Sequence, residues 1–131
     1  MQLVEHQTDM LRKNINIEIY IGRNGEFDIF TASILKRKQR NFCKDSILIN
    51  LVIPYVVKDL EYFRSYYDDV ILPECVEMAY PKGAITKRNK WMTDNSDLII
   101  CYVERCYGGA YKAMKYANSK GKRLLNFALN S

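Results

Sequence analysis

Apolar residues fall in short blocks along the chain, and the spacing within each block predicts alternating strands and helices. Leu3, Val4, Met10 and Leu11 recur at helical intervals, which predicts a helix over residues 2–13 packed on a sheet. Ile15 to Ile21 is β-branched and aromatic and stops at Gly22-Arg23-Asn24-Gly25, the pattern of a strand running into a tight loop. A helix is expected from Glu26 to Lys38, with Phe27, Phe30, Ile34 and Leu35 as its buried stripe. Ile47 to Ile53 is a nearly continuous apolar run, interrupted by Asn50 and closed by Pro54, as expected of a strand covered on both faces.

Beyond Pro54 the spacing predicts a short helix from Val57 to Tyr66 and a brief strand from Asp69 to Leu72. An ordered loop is expected from Pro73 to Gly83, then a helix from Ala84 to Asn95 and a buried strand from Asp97 to Val103. Gly108-Gly109 opens a helix running to about Ser119, and a turn at Lys120 to Lys122 leads into a last strand, Arg123 to Phe127. The alternation is that of an α/β fold with a doubly wound, mostly parallel sheet. With 131 residues, 48% of them apolar, one domain accounts for the whole chain.

Composition narrows the function classes. The longest apolar runs fall well short of the roughly 20 residues that span a bilayer, and Glu5 and Asp9 sit where a signal peptide would be apolar. The expected location is the cytoplasm, with no membrane partner. Cys43, Cys75, Cys101 and Cys106 include no CxxC, and the single histidine is His6, so neither a metal site nor a cofactor is expected. The net charge of +5 suits an anionic partner, but basic residues are dispersed among acids. The densest group, Lys36, Arg37, Lys38 and Arg40, closes a helix where cations already favour the dipole. This distribution disfavours nucleic acid as a partner.

Ligands of such sheets collect at the carboxyl ends of strands. Three segments qualify. In the loop from Gly22 to Asp28, glycines permit close approach while Arg23, Asn24, Glu26 and Asp28 offer polar groups; it is either a ligand site or a plain turn with acids serving the helix N-terminus. Gly108-Gly109-Ala110-Tyr111 follows a buried strand and opens a helix, so it is either an anion site made of backbone N–H groups or a simple tight turn. In the third segment, Arg88 shares a helix face with Ala84 and Met92 beside Asn89, while Trp91 is either a core anchor or a base-stacking ring and Lys87 and Lys90 form a solvated face.

Arg88, Met92, Ser96 and Asp97, followed by an apolar strand and Gly108-Gly109, resemble the RKxxMxxxSDxxIxxPGG pattern of the SLOG superfamily, which includes the Smf/DprA and Lonely Guy proteins. With Gly22 to Asp28, Leu72-Pro73-Glu74, Ala84 to Met92 and Lys120-Gly121-Lys122, the chain is similar over residues 15–128 to the small SLOG proteins of Firmicutes and their phages. The resemblance implies a Rossmann-like three-layer sandwich that binds or senses a nucleotide or nucleotide-derived signal.

By the same resemblance Arg88 matches the arginine that hydrolases of the family use at the active site, and Gly108 and Gly109 match their phosphate-binding glycines. In a binding module Arg88 and Lys112 would neutralise phosphate while Gly108 and Gly109, leading into Ala110 and Tyr111, would supply amides. Asn24, with Glu26 or Asp28, would hold ribose hydroxyls in the loop that Gly22 and Arg23 begin. Some relatives are phosphoribohydrolases, but their PGGxGTxxE motif places a catalytic Glu where this chain has Lys115. A lysine cannot stabilise an oxocarbenium ion or activate water, so recognition ranks above catalysis and no catalytic residue is assigned. A nucleotide N-glycosidase using Glu26 or Asp28 is the alternative, and a single-stranded DNA-processing accessory protein is a further one.

Relatives open with a strand that this sequence lacks before residues 2–13, a strand that would lie centrally. Its loss would orphan backbone groups in the middle of the sheet. A truncated start, a rearranged sheet, or a strand supplied by a partner in a homo-oligomer would each resolve this.

Overall fold

A computed structural model describes residues 2–6, 16–23, 25–41, 46–77 and 81–130. The elements run β1 (Gln2–His6), β2 (Asn16–Ile21), α1 (Glu26–Asn41), β3 (Ile47–Val52), α2 (Leu60–Tyr66), β4 (Asp69–Ile71), α3 (Glu74–Glu77), α4 (Pro81–Asp94), β5 (Leu98–Cys101), α5 (Gly109–Ser119) and β6 (Arg123–Asn126). A 3-10 turn, Phe127–Asn130, follows. The strands form one six-stranded sheet in the order β4-β3-β2-β1-β5-β6.

Strands β2 to β6 all point one way. β2 pairs in parallel with β3, β3 with β4, and β5 with β6, whereas β1 runs antiparallel between β2 and β5. The fold is therefore α/β, a Rossmann-like sandwich with a mostly parallel sheet.

The expected helix over residues 2–13 is corrected: Gln2–His6 is a strand, and the remainder of that segment lies outside the described residues. Gln2 pairs with both Tyr20 and Ile99, and Leu3 with both Ile19 and Leu98. Without β1, the facing edges of β2 and β5 would leave N–H and C=O groups unpaired in the middle of the sheet, a cost larger than a few residues' helical preference. The usual parallel first strand is absent, and a reversed strand of the same chain fills its place. Of the expected resolutions, the described residues show a rearranged sheet, with β1 between β2 and β5.

On one face Ile19, Ile21, Ile49, Leu51 and Ile53 pack against Ala32 of α1 and against Tyr67, with Leu35, Leu60 and Phe63 closing the cluster. Each such aliphatic side chain contributes roughly 1.5–3 kcal/mol on full burial, so this half of the sheet is firmly anchored. The other face is covered by α4 and α5 through Ala84, Met92, Thr93 and Ala117.

The expected stripe on α1 holds in part: Leu35 packs on the core and Phe27 is half-buried, but the other two residues are exposed. Phe30 is 66% exposed and Ile34 is 37% exposed, while Ala32 and Gln39 are buried. Small Ala32 lets the helix approach the sheet. Gln39 is drawn inward because its Nε2 donates to the Ile47 carbonyl at 2.6 Å and to Asp68 Oδ2 at 2.7 Å, an acceptor that also takes the Ile49 N–H.

The stretch read as a loop from Pro73 to Gly83 instead contains α3 and the first turn of α4. No described helix is long and apolar enough to cross a membrane.

Candidate functional site

The strand order reverses at β1. From β2 the chain passes through α1 to β3 on one side, and from β5 through α5 to β6 on the other, so a crevice opens beyond the carboxyl ends of β2 and β5. A cleft of about 450 Å³ occupies it. Its rim is formed by Gly22, Glu26 and Asp28 at the β2–α1 junction, Arg88 and Asn89 of α4, and Gly109-Ala110 at the start of α5. Seven of the residues singled out from sequence thus meet in one place. The floor is apolar, with Met92, Ile99, Ala113 and Met114 among its residues.

Arg88 is the most constrained of these. It is 3% exposed, its Nη1 donates to the Val52 carbonyl at 3.0 Å, and its Nε donates to Asn89 Oδ1 at 2.9 Å. Burial pulls the guanidinium below its ordinary pKa, and the charge of Asp28 opposes that loss. Gly22 makes this arrangement possible: a β-carbon there would stand 2.9 Å from Arg88 Nη1 and 3.3 Å from Asp28 Oδ2. Arg88 therefore ties the end of β3 to α4 as well as facing the cleft.

At the opposite wall Gly108 caps α5 with φ +96° and ψ 176°, a conformation open essentially to glycine alone. No side chain caps the helix there. The Gly108 carbonyl accepts the Lys112 N–H at 3.0 Å, which starts the helical ladder and leaves the preceding amides of the first turn without intrahelical acceptors. These N–H groups and the positive end of the helix dipole suit an anion. A second, shallower hollow of about 350 Å³ adjoins the cleft, sharing Tyr102, Gly109 and Ala110 with it and reaching Arg105, Tyr107 and Tyr111.

Other expected site residues are placed elsewhere. Arg23 is exposed and lies over the Phe63 ring, 4.5 Å from its centroid, and lines neither hollow. Lys112 is exposed on the first turn of α5 and also lines neither. Asn24 lies outside the described residues. Lys115 sits over the Tyr111 ring at 5.6 Å, away from the cleft lining. Trp91 packs edge-on against Tyr20 with centroids 5.2 Å apart and does not line the cleft, which makes it an anchor between α4 and the sheet.

Two of the residues that carry the sequence resemblance serve structure. Ser96 is buried and its hydroxyl donates to the Met92 carbonyl at 2.6 Å, closing the end of α4, while Met92 is 5% exposed in the core.

Sequence reading missed Phe27, Cys101 and Tyr102 as cleft residues. Phe27 and Tyr102 meet across the mouth, ring centroids 6.0 Å apart and tilted by 30°. The signal for Tyr102 and Cys101 was their place at the end of a strand beside the reversal point, where the fold concentrates its ligand contacts. Burial pushes the Cys101 thiol pKa up.

Comparison with family models, curated proteins and solved structures yields no match.

Proposed function

We propose that this chain is a small SLOG-type domain that binds a nucleotide or nucleotide-derived signal in the crevice between β2 and β5. The observation that carries the reading is the convergence, around one cleft of about 450 Å³, of a glycine-opened helix N-terminus, two carboxylates and a buried arginine. That volume falls within the ordinary range for small-molecule sites, about 300–1,000 Å³. The phosphate would lie at Gly109-Ala110, the base or sugar would pack on the apolar floor and the Phe27–Tyr102 rings, and Glu26 would accept from sugar hydroxyls.

Isothermal titration against nucleoside monophosphates, ADP-ribose and cyclic nucleotides tests this. At least one class is expected to bind, and Gly109→Asp is expected to weaken it more than about tenfold, because a carboxylate then competes for the helix N-terminus. There is open space beside Gly109, and an acid is favourable in a first turn, so this variant should stay folded. Silence of folded wild-type protein across the panel would overturn the reading.

The presence of Glu26 and Asp28 on the same cleft supports a second reading, a nucleotide N-glycosidase. Release of free base from nucleoside monophosphates, abolished by Glu26→Gln or by Asp28→Asn, would establish it. Release that survives loss of both carboxylates would exclude these residues as the catalytic pair.

A further inference from the structure

Helix α1 carries apolar residues on the side it turns away from the sheet. Phe30 is 66% exposed, Ile29 46% and Ile34 37%, while the inward side is occupied by Ala32 and Gln39. At 3.6 residues per turn, Glu26, Phe30, Ser33 and Arg37 form a line along the outer side, flanked by Ile29 and Ile34. The line is acidic at one end and basic at the other, with a large ring and a small hydroxyl between.

The spacing along this line is four, three and four residues, and it reads the same from either end. Two copies laid antiparallel about a two-fold axis passing between Thr31 and Ala32 therefore match at these four positions, while Arg40 beyond them falls opposite Arg23 at the rim, where solvent screens the like charges. Glu26 meets Arg37 of the second copy, Ile29 meets Ile34, and the Phe30 ring covers Ser33. Each match occurs twice, as an isologous contact requires. The Ser33 hydroxyl already donates to the Phe30 carbonyl at 2.7 Å, so covering it strands no polar group. A parallel arrangement would instead set Glu26 beside Glu26 and Arg37 beside Arg37, which is repulsive.

We propose that the outer side of α1 is a homodimer interface in which the two α1 helices pack antiparallel, Glu26 against Arg37 and Phe30 against Ser33. One helix pair is smaller than a standard interface of about 800 Å² per partner, so the dimer is a reversible one. Glu26 also lines the cleft, so the test below is run on ligand-free protein, where nothing in the cleft competes for its carboxylate.

Sedimentation velocity of the full chain over a concentration series from about 1 to 300 µM tests the proposal, in a range where a reversible dimer is resolved. The wild type is expected to pass from monomer to dimer. Phe30→Glu is expected to raise the dissociation constant about a hundredfold by placing a carboxylate in the apolar centre. Glu26→Lys and Arg37→Glu are each expected to weaken the dimer about three- to tenfold, and the two together to restore it, since the swapped charges again face each other. All three positions are exposed, and circular dichroism of each variant establishes that α1 is intact. A wild type that stays monomeric at the highest concentration would overturn the proposal. So would a Phe30→Glu variant that dimerises normally, or a double charge reversal weaker than either single one.

Discussion

The guanidinium of Arg88 lies so close to the α-carbon of Gly22 that a β-carbon at position 22 would stand 2.9 Å from Nη1 and 3.3 Å from Cζ. The contact joins the end of β2 to α4 across the crevice. An arginine tip could ordinarily swing aside, but this one is buried and holds the Val52 carbonyl. Gly22→Ala is therefore expected to destabilise the fold by about 1–3 kcal/mol, through a displaced charge-assisted hydrogen bond. Urea denaturation checks this. In an Arg88→Met background the same substitution should cost much less, and equal costs in the two backgrounds would refute the contact.

Removing the guanidinium should be worse than crowding it. Arg88→Met leaves the Val52 carbonyl without this donor and deprives Asp28 of the nearby positive charge, an expected loss of about 2–4 kcal/mol. Adding Asp28→Asn should then cost little more, because the charge that Arg88 balanced is gone. Thermal or urea melts of the two single variants and the double variant form the cycle. Strict additivity would show that the two side chains act independently.

Most of the frame was legible because the buried strands are long apolar runs: Ile47–Val52 and the helix from Gly109 to Ser119 lie where periodicity places them. The helical turns between Pro73 and Gly83 were not, and neither were two features with a plain physical cause. A five-residue segment cannot reveal that it will be extended when the reason is the vacancy between β2 and β5, which exists only once the sheet has formed. The buried face of α1 was misread in part because Gln39, a polar residue, is buried by its bonds to Ile47 and Asp68, while Phe30 is left outside. At the cleft, glycines and charged residues gave themselves away by chemistry. Tyr102 and Cys101 resembled ordinary strand residues and were marked only by position. Arg23 carried the right charge on the wrong side of its loop, and Lys112 carried it on a side of α5 that does not line the cleft.

The two glycines opening α5 should behave differently. Gly108, at φ +96° and ψ 176°, occupies a region essentially closed to other residues, so Gly108→Ala is expected to cost about 1–3 kcal/mol. Gly109 has no positive φ and nothing within 4 Å of an added β-carbon. At that first helical position, Gly109→Ala should be neutral or stabilising by up to about 1 kcal/mol. Equal effects in urea melts would count against the cap geometry.

Alkaline pH should find a weak point at Tyr67. This residue is 5% exposed, and burial raises its pKa from 10.0 to about 12, with Arg23 opposing the shift. The folded chain then holds the phenolic proton more tightly than the unfolded chain. The stability associated with it is fully present below pH 10 and is lost as pH rises from 10 towards 12. Urea midpoints should fall over that interval in the wild type and fall less in Tyr67→Phe. Identical slopes would show that Tyr67 ionises freely in the fold.

Cys101 offers a chemical readout of the cleft. It is half-buried in the cleft wall with a thiol that burial keeps protonated, whereas Cys75 and Cys106 are exposed. The thiolate is the species that alkylates, so iodoacetamide near neutral pH should label Cys75 and Cys106 well before Cys101, as peptide mass mapping would show. A molecule seated between Gly22 and Gly109 covers the approach to Cys101 and leaves Cys75 untouched. Its binding should therefore slow labelling at Cys101 alone. Labelling of Cys101 as fast as Cys106 would mean that the cleft floor is open to solvent, and uniform slowing at all three would point to a ligand bound elsewhere.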